Sequence, residues 1–172
     1  MAKIKGLNKV LKKLSKFGNE AEKIISETTD SNAEMIVADA KVLAPINKGK
    51  LGQSIAKEEV TKLNYKVVVN SPYGAYVEFG TGKKVSVPKD LQDQADKFRG
   101  GKGGTFEEGL QAIKDWCRSK GIEEKFAYPI FISILNEGIT PQPYLYPAWV
   151  KGKVRYVKDL KEDLKYLTKK YG

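Results

Sequence analysis

The two ends of the chain carry the same pattern, and that pattern limits the fold more than any other feature. Ile4, Leu7, Val10, Leu11, Leu14 and Phe17 recur at three- and four-residue steps, while Lys5, Lys9, Lys12, Lys13 and Lys16 fill the other positions. Val154, Val157, Leu160, Leu164 and Leu167 repeat this spacing among lysines near the C-terminus. Both stretches predict amphipathic helices with basic outer faces, and each needs an apolar surface to lie on. The chain between them has to supply one.

The N-terminal periodicity continues through Ala21, Ile24, Ile25, Thr28, Met35, Ile36, Ala40 and Leu43. Gly18 and Asn19 are expected to interrupt it, and Asp30, Ser31 and Asn32 to bend it, because these residue types compete poorly for helix. Pro45 ends it by excluding Ala44 from the α region. The segment from Pro45 to Gly52 reads as a loop. It lacks the GxxxxGK-Ser/Thr pattern of a phosphate cradle and follows a helix where such a loop follows a strand.

Leu51 to Val60 and Tyr65 to Asn70 predict two strands joined through Thr61-Lys62-Leu63-Asn64. Tyr73 to Phe79 is rich in aromatic and β-branched residues and ends in Gly80-Thr81-Gly82, which predicts a third strand of an antiparallel meander. On that strand Glu78 would face away from Val77 and Phe79, toward a lysine of its own chain or of a neighbouring subunit.

After Gly82 the composition shifts. Lys83 to Asp90 reads as an irregular loop, Leu91 to Phe98 as one or two helical turns, and Arg99 to Gly104 as a flexible glycine-rich link. Thr105 and Glu108 form a capping box that opens a helix ending at Lys120-Gly121. A second helix is expected from Glu123 to Glu137, with Pro129 kinking it or trimming its first turn. As a helix-turn-helix this pair is poorly equipped to read DNA, since the second helix offers only Lys125 and Asn136 as base-reading types against three glutamates. Thr140 to Trp149, with three prolines, predicts an extended path before a helix beginning at Val150.

The expected fold class is therefore α+β: a long N-terminal helix and a C-terminal helix packed on a small, mainly antiparallel sheet, with a helical insertion after the third strand. Residues 1–82 and 139–172 would form the core domain and residues 83–138 the insertion.

Chemistry is limited by what is missing. The 172 residues include one cysteine, Cys117, and no histidine. That excludes an internal disulfide, Cys/His zinc clusters, Ser-His-Asp triads and Cys-His nucleophiles. Cys117, beside Trp116 in a helical pattern, reads as a small buried apolar residue. Glu58-Glu59, Glu107-Glu108 and Glu123-Glu124 read as solvated faces or helix starts. A small nuclease would have only isolated carboxylates such as Asp90 and Glu78 to work with. No catalytic residue, cofactor or metal is expected.

The net charge is +10, with +6 in residues 1–17 and +5 in residues 151–172, leaving −1 between them. Lys5, Lys9, Lys12, Lys13 and Lys16 are therefore candidates for non-specific DNA contact, and a basic nucleic-acid-binding module is the alternative reading of the whole chain. No apolar run approaches the ~20 residues that span a bilayer, and the N-terminus gathers no signal-peptide core. Assembly in a host cytoplasm, with no membrane partner, is the expectation.

The order of motifs resembles the HK97 gp10-like family of tailed-bacteriophage head-tail joining or tail-completion proteins. The resemblance rests on Ala40-Lys41-Val42-Leu43-Ala44-Pro45, on Gly49-Lys50-Leu51 with Ser54-Ile55, on Tyr76-Val77-Glu78-Phe79-Gly80-Thr81, and on Pro141-Gln142-Pro143-Tyr144-Leu145-Tyr146-Pro147-Ala148. Two departures stand out. Lys48-Gly49-Lys50-Leu51-Gly52 replaces the family's Thr-Gly-Xaa-Leu-Arg. The region from Lys83 to Gly138 is long, like the variant in which Trp116, Lys120-Gly121-Ile122 and Gly138-Ile139 recur.

The resemblance implies a non-catalytic virion protein of the neck. It would assemble as a homo-oligomeric ring, six-fold among the candidate symmetries, between head-closure or connector proteins and tail-terminator or tail-tube proteins. Lys83, Lys84, Val85, Arg99, Lys102 and Glu78 are its candidate subunit or partner contacts.

Overall fold

The structure, a computed structural model, describes residues 7–46, 49–71, 73–93 and 105–171. The chain divides into two compact units, Met1–Asn70 with Tyr144–Gly172, and Ser71–Pro143.

Unit 1 is built on one helix, α1, which runs unbroken over Leu7–Leu43. At 1.5 Å per residue it is about 55 Å long. Neither expected interruption occurs. Gly18 has no heavy atom within 4 Å of where a Cβ would stand, so it is neither a turn nor a close-packing site. Replacing it with Ala is expected to stabilise the unit by about 0.5–1 kcal/mol, read as a higher melting temperature, because only glycine's backbone entropy is removed.

The helix also runs unbroken through Asp30–Asn32, where polar side chains have other partners. Thr28 donates to Asp163 (2.6 Å), and Asn32 donates to Asp159 (3.0 Å) and back to the Thr28 carbonyl (3.1 Å). Such residues weaken a helix when their side chains capture nearby backbone. Most of these bonds cross to another helix instead.

That helix is α6, Leu145–Tyr171, which returns antiparallel along α1. It begins five residues before the expected Val150, since Pro147 in its first turn owes no backbone N–H. The seam is tightest where Gly152 meets Ile36: a Cβ on Gly152 would lie 2.3 Å from Ile36 Cγ1. Ala33, Ile36, Ala40, Ala148 and Leu167 are buried in this unit.

After α1 ends at the bend at Ala44, Gly49 in the left-handed region (φ 69°) opens a single helical turn, α2, Lys50–Gln53. The start of the expected first strand is therefore helical. Leu51 is buried on this turn, and Ser54 Oγ donates to the Leu51 carbonyl (2.7 Å). The sheet is one antiparallel hairpin, β1 (Ile55–Thr61) and β2 (Asn64–Val69), with Ile55 opposite Val69, Lys57 opposite Val67 and Glu59 opposite Tyr65. It packs on α1, and Ile55 is buried.

In unit 2 the expected third strand is a six-residue helix, α3, Gly74–Phe79. Burial recurs four residues apart, at Gly74 and Glu78, while Tyr73 and Tyr76 are exposed. A strand would have buried alternate residues. Aromatic and β-branched enrichment records fit to a half-buried pleated surface more than a backbone preference, and no strand flanks this stretch among the described residues. Short 3-10 turns at Gly82–Lys84 and Lys89–Leu91 follow.

Helix α4, Phe106–Lys120, opens with the expected capping box. Glu108 N–H donates to Thr105 Oγ1 (3.2 Å), Thr105 N–H donates to Glu108 Oε2 (2.9 Å), and the helix ends on left-handed Gly121. A 3-10 turn at Glu124–Phe126 leads into α5, Ala127–Glu137, with Pro129 in its first turn. Phe131 packs edge-on against Phe106 at 5.0 Å and lies so close to Gly109 that a Cβ there would come within 2.7 Å of its ring. Cys117 is buried, as expected of a small apolar residue.

Candidate interaction surfaces

The two ends of the long connection in unit 2 are tied together. Thr81 N–H donates to the Ile139 carbonyl (3.0 Å), Ile139 N–H donates to Thr81 Oγ1 (2.8 Å), and Gln142 N–H donates to the Val77 carbonyl (2.8 Å). The approach requires glycine on both sides. A Cβ on Gly80 (φ 74°) would meet the Ile139 carbonyl at 2.6 Å, and one on Gly138 (φ 82°) would meet the Thr81 carbonyl at 1.8 Å. The clasp brings the two ends of the connection together.

Of the candidate contacts, Lys83, Lys84 and Val85 lie on the surface just beyond this clasp. Lys84 reaches Glu137 at 3.8 Å. The placement of Glu78 is corrected: it sits on helix α3, not on a strand, and is buried. Arg99, Lys102 and the glycine-rich link lie outside the described residues. So does Lys5, and for Lys9 only the helical backbone is described. Lys12, Lys13 and Lys16 are exposed on α1.

The adjacent glutamates are occupied structurally. Glu108 closes the α4 capping box. Glu124 takes Lys114 (3.2 Å) and Arg118 (3.1 Å), which hold its carboxyl below the usual range, and Glu123 takes Lys125 (2.7 Å). Glu58 and Glu59 are both exposed on β1 and alternate in facing. Among the described residues no group of three or more His, Cys, Asp or Glu could hold a metal ion. No described helix is long and apolar enough to cross a membrane.

Unit 1 has a polar seam between α1 and α6. Asp39 accepts from Lys151 (3.0 Å) and Arg155 (3.3 Å), Arg155 Nε also donates to Asn32 Oδ1 (3.1 Å), and Glu20 binds Lys170 and Tyr171. Hydrogen bonds from Lys151 and then Arg155 lower the Asp39 pKa, Lys170 and then Tyr171 lower that of Glu20, and Lys57 lowers that of Asp30. A carboxylate whose folded pKa is depressed adds stability above its unfolded pKa and loses it as pH falls through the folded value. Thermal stability is therefore expected to fall on acidification below about pH 4. Asp39→Asn should melt a few degrees lower than the parent at pH 7, with the gap closing toward pH 3. The effect stays small because these groups are partly solvated.

Three apolar surfaces of unit 1 face outward. Ahead of Phe17, whose ring meets Tyr171 edge-on at 5.7 Å, α1 extends past the end of α6 with Val10, Leu11 and Leu14 more than half exposed. A cleft of about 230 Å³ between α1, the hairpin and α6 is lined by Ala33, Ile36, Leu63, Val67, Trp149 and Tyr156. On α6, the single stripe read in the sequence splits in two. Leu160 and Leu167 turn inward, while Val154, Val157 and Leu164 turn out, continued by Val150. The sequence carries no signal for that split, because apolar residues at 150, 154, 157, 160, 164 and 167 are no more than one ordinary apolar face holds.

No curated protein and no solved structure matches the chain. Residues 8–80 do match the sequence profile of a family described as HK97-gp10-like: bacteriophage HK97-gp10, putative tail-component. The matched stretch runs from the first turn of α1 through the hairpin and α3 to Gly80, and so includes two of the four motif groups named above and all but Thr81 of a third. Over residues 8–80, less than half of its length, the chain is similar to the HK97-gp10-like family of putative bacteriophage tail components.

Proposed function

We propose that the chain is a structural subunit of the phage neck, assembling as a homo-oligomeric ring, six-fold among the candidate symmetries, at the head-tail junction. Its partners there would be head-closure or connector proteins on one side and tail-terminator or tail-tube proteins on the other. The observation that carries this reading is the tail-component match over residues 8–80. The outward apolar surfaces of unit 1 support it, since contiguous exposed apolar groups mark sites of protein association. The work done would be binding and positioning, without a catalytic step. The protein would gather in the host cytoplasm and remain in the virion.

Antibody-gold labelling of purified virions tests the location. Gold at the junction between head and tail is the expected result, and its absence from intact particles refutes the proposal.

A second reading, non-specific DNA contact, is favoured by the exposed Lys12, Lys13 and Lys16 on a helix with no acid in its first turn. Retention of duplex DNA on a filter, falling steeply between 50 and 200 mM salt, would support it. No retention at low salt would end it.

A further inference from the structure

Helix α6 is two-faced. Ala148, Gly152 and Leu167 are buried in unit 1, and Arg155, Asp159 and Asp163 reach across to α1. On the other side Val150, Val154, Val157 and Leu164 stand 44%, 70%, 45% and 50% exposed. With Lys161 among them, these positions step by four and three residues alternately, the spacing that keeps a seam facing one partner helix. From Val150 to Leu164 the seam is about 21 Å long, or two heptads.

The charges beside the seam say what fits it. Lys151, Lys158 and Lys165 recur every seven residues along one margin, and Lys161 interrupts the apolar row itself. Lys151 is drawn to Asp39, while Lys158 reaches Glu162 only at 3.9 Å with both side chains largely in solvent. Of the three acids of the helix, Asp159 and Asp163 are turned to Asn32 and Thr28 on α1, and Glu162 is the one acid beside the lysine margin.

We propose that this face docks an amphipathic helix from a different protein, one whose apolar stripe is edged by Asp or Glu. A second copy of this chain is a poor occupant. Antiparallel self-pairing sets the lysine margin against itself, and parallel pairing sets it against Lys153, Leu160 and Leu167, with no acid to meet it. Nucleic acid would satisfy the lysines but leave the valines against phosphate. An anionic lipid surface favours bulkier anchors such as Trp, Phe and Leu, where this row offers three valines and one leucine. The inference does not depend on ring formation, and either one can fail without the other.

The test titrates the full chain against two labelled 28-residue helical peptides with identical Leu and Ile seams, one edged with Glu and the other with Lys, read by fluorescence anisotropy. The Glu-edged peptide is expected to bind at least tenfold more tightly. Lys158→Glu with Lys165→Glu should reverse that preference. Val154→Asp with Val157→Asp should abolish binding while leaving the circular dichroism spectrum and melting temperature intact, because both side chains are exposed.

Equal binding of the two peptides, binding of neither, or a preference that survives the charge reversal overturns the proposal. It is also overturned if Val154→Asp with Val157→Asp turns an oligomer of this chain into monomers. Binding of duplex DNA or of phosphatidylglycerol-containing vesicles that is lost in the same double variant overturns it as well.

Discussion

Gly152→Leu is expected to destabilise unit 1 by about 3 kcal/mol, lowering its melting temperature by roughly 12–24 °C. Even a single Cβ at this position would lie 2.3 Å from Ile36 Cγ1 and 2.6 Å from Cδ1. Ile36 is 6% exposed, so most of its side chain is already held by neighbours. A leucine must push α6 off α1 there, disturbing the bonds to Asp39 on the neighbouring turns. The cause is specific and can be checked by a size exchange. Ile36→Ala alone should cost about 2–4 kcal/mol as a cavity. Combined with Gly152→Leu it should cost about 2 kcal/mol less than the sum, since each change makes room for the other. Strict additivity would mean that the helices do not meet at this pair.

Gly138→Ala should be about as damaging to unit 2, at about 3 kcal/mol. Two penalties combine: the backbone at φ 82° and ψ 175° is a region nearly closed to side chains, and the new Cβ would stand 1.8 Å from the Thr81 carbonyl oxygen. Gly121→Ala is the control. It too has positive φ (70°), but nothing lies within 4 Å of its Cβ position, so about 1 kcal/mol is expected. Hydrogen exchange separates the two. Gly138→Ala should strip protection from Thr81 and Ile139, whose amides close the clasp, and leave the amides of α1 protected. If both variants lose the same small amount, the clasp contributes little to the unit.

The parts of the fold that were legible in the sequence are those set by local chemistry. The capping box at Thr105 and Glu108, the glycine stop at Gly121 and the turn at Lys62-Leu63 are each determined within a few residues, and each stands where its sequence puts it. The parts that were not legible depend on distant partners. Asp30–Asn32 looked like a bend because the asparagine's partner, Asp159, is 127 residues away. Tyr73–Phe79 has the composition of a strand, but a strand needs a neighbour to pair with, and the return segment at 139–142 supplies only isolated hydrogen bonds.

The same limit applies to the candidate surfaces. Lys83, Lys84 and Val85 could be named from their place after a glycine turn, and they are exposed. Glu78 was misplaced along with the strand that was expected to carry it. The outer seam of α6 was hidden in a stripe that looked like a single packing face. Only the position of α1 shows that Leu160 and Leu167 turn inward while Val154, Val157 and Leu164 do not.

If the proposed function holds, the most direct measurement is electron microscopy of particles made by a phage carrying this gene when the gene is deleted, with and without the protein supplied in trans. A structural subunit of the neck predicts filled or fillable heads and separate tails in the deletion, and joined particles on complementation. Normal, infectious tailed particles from the deletion would contradict it.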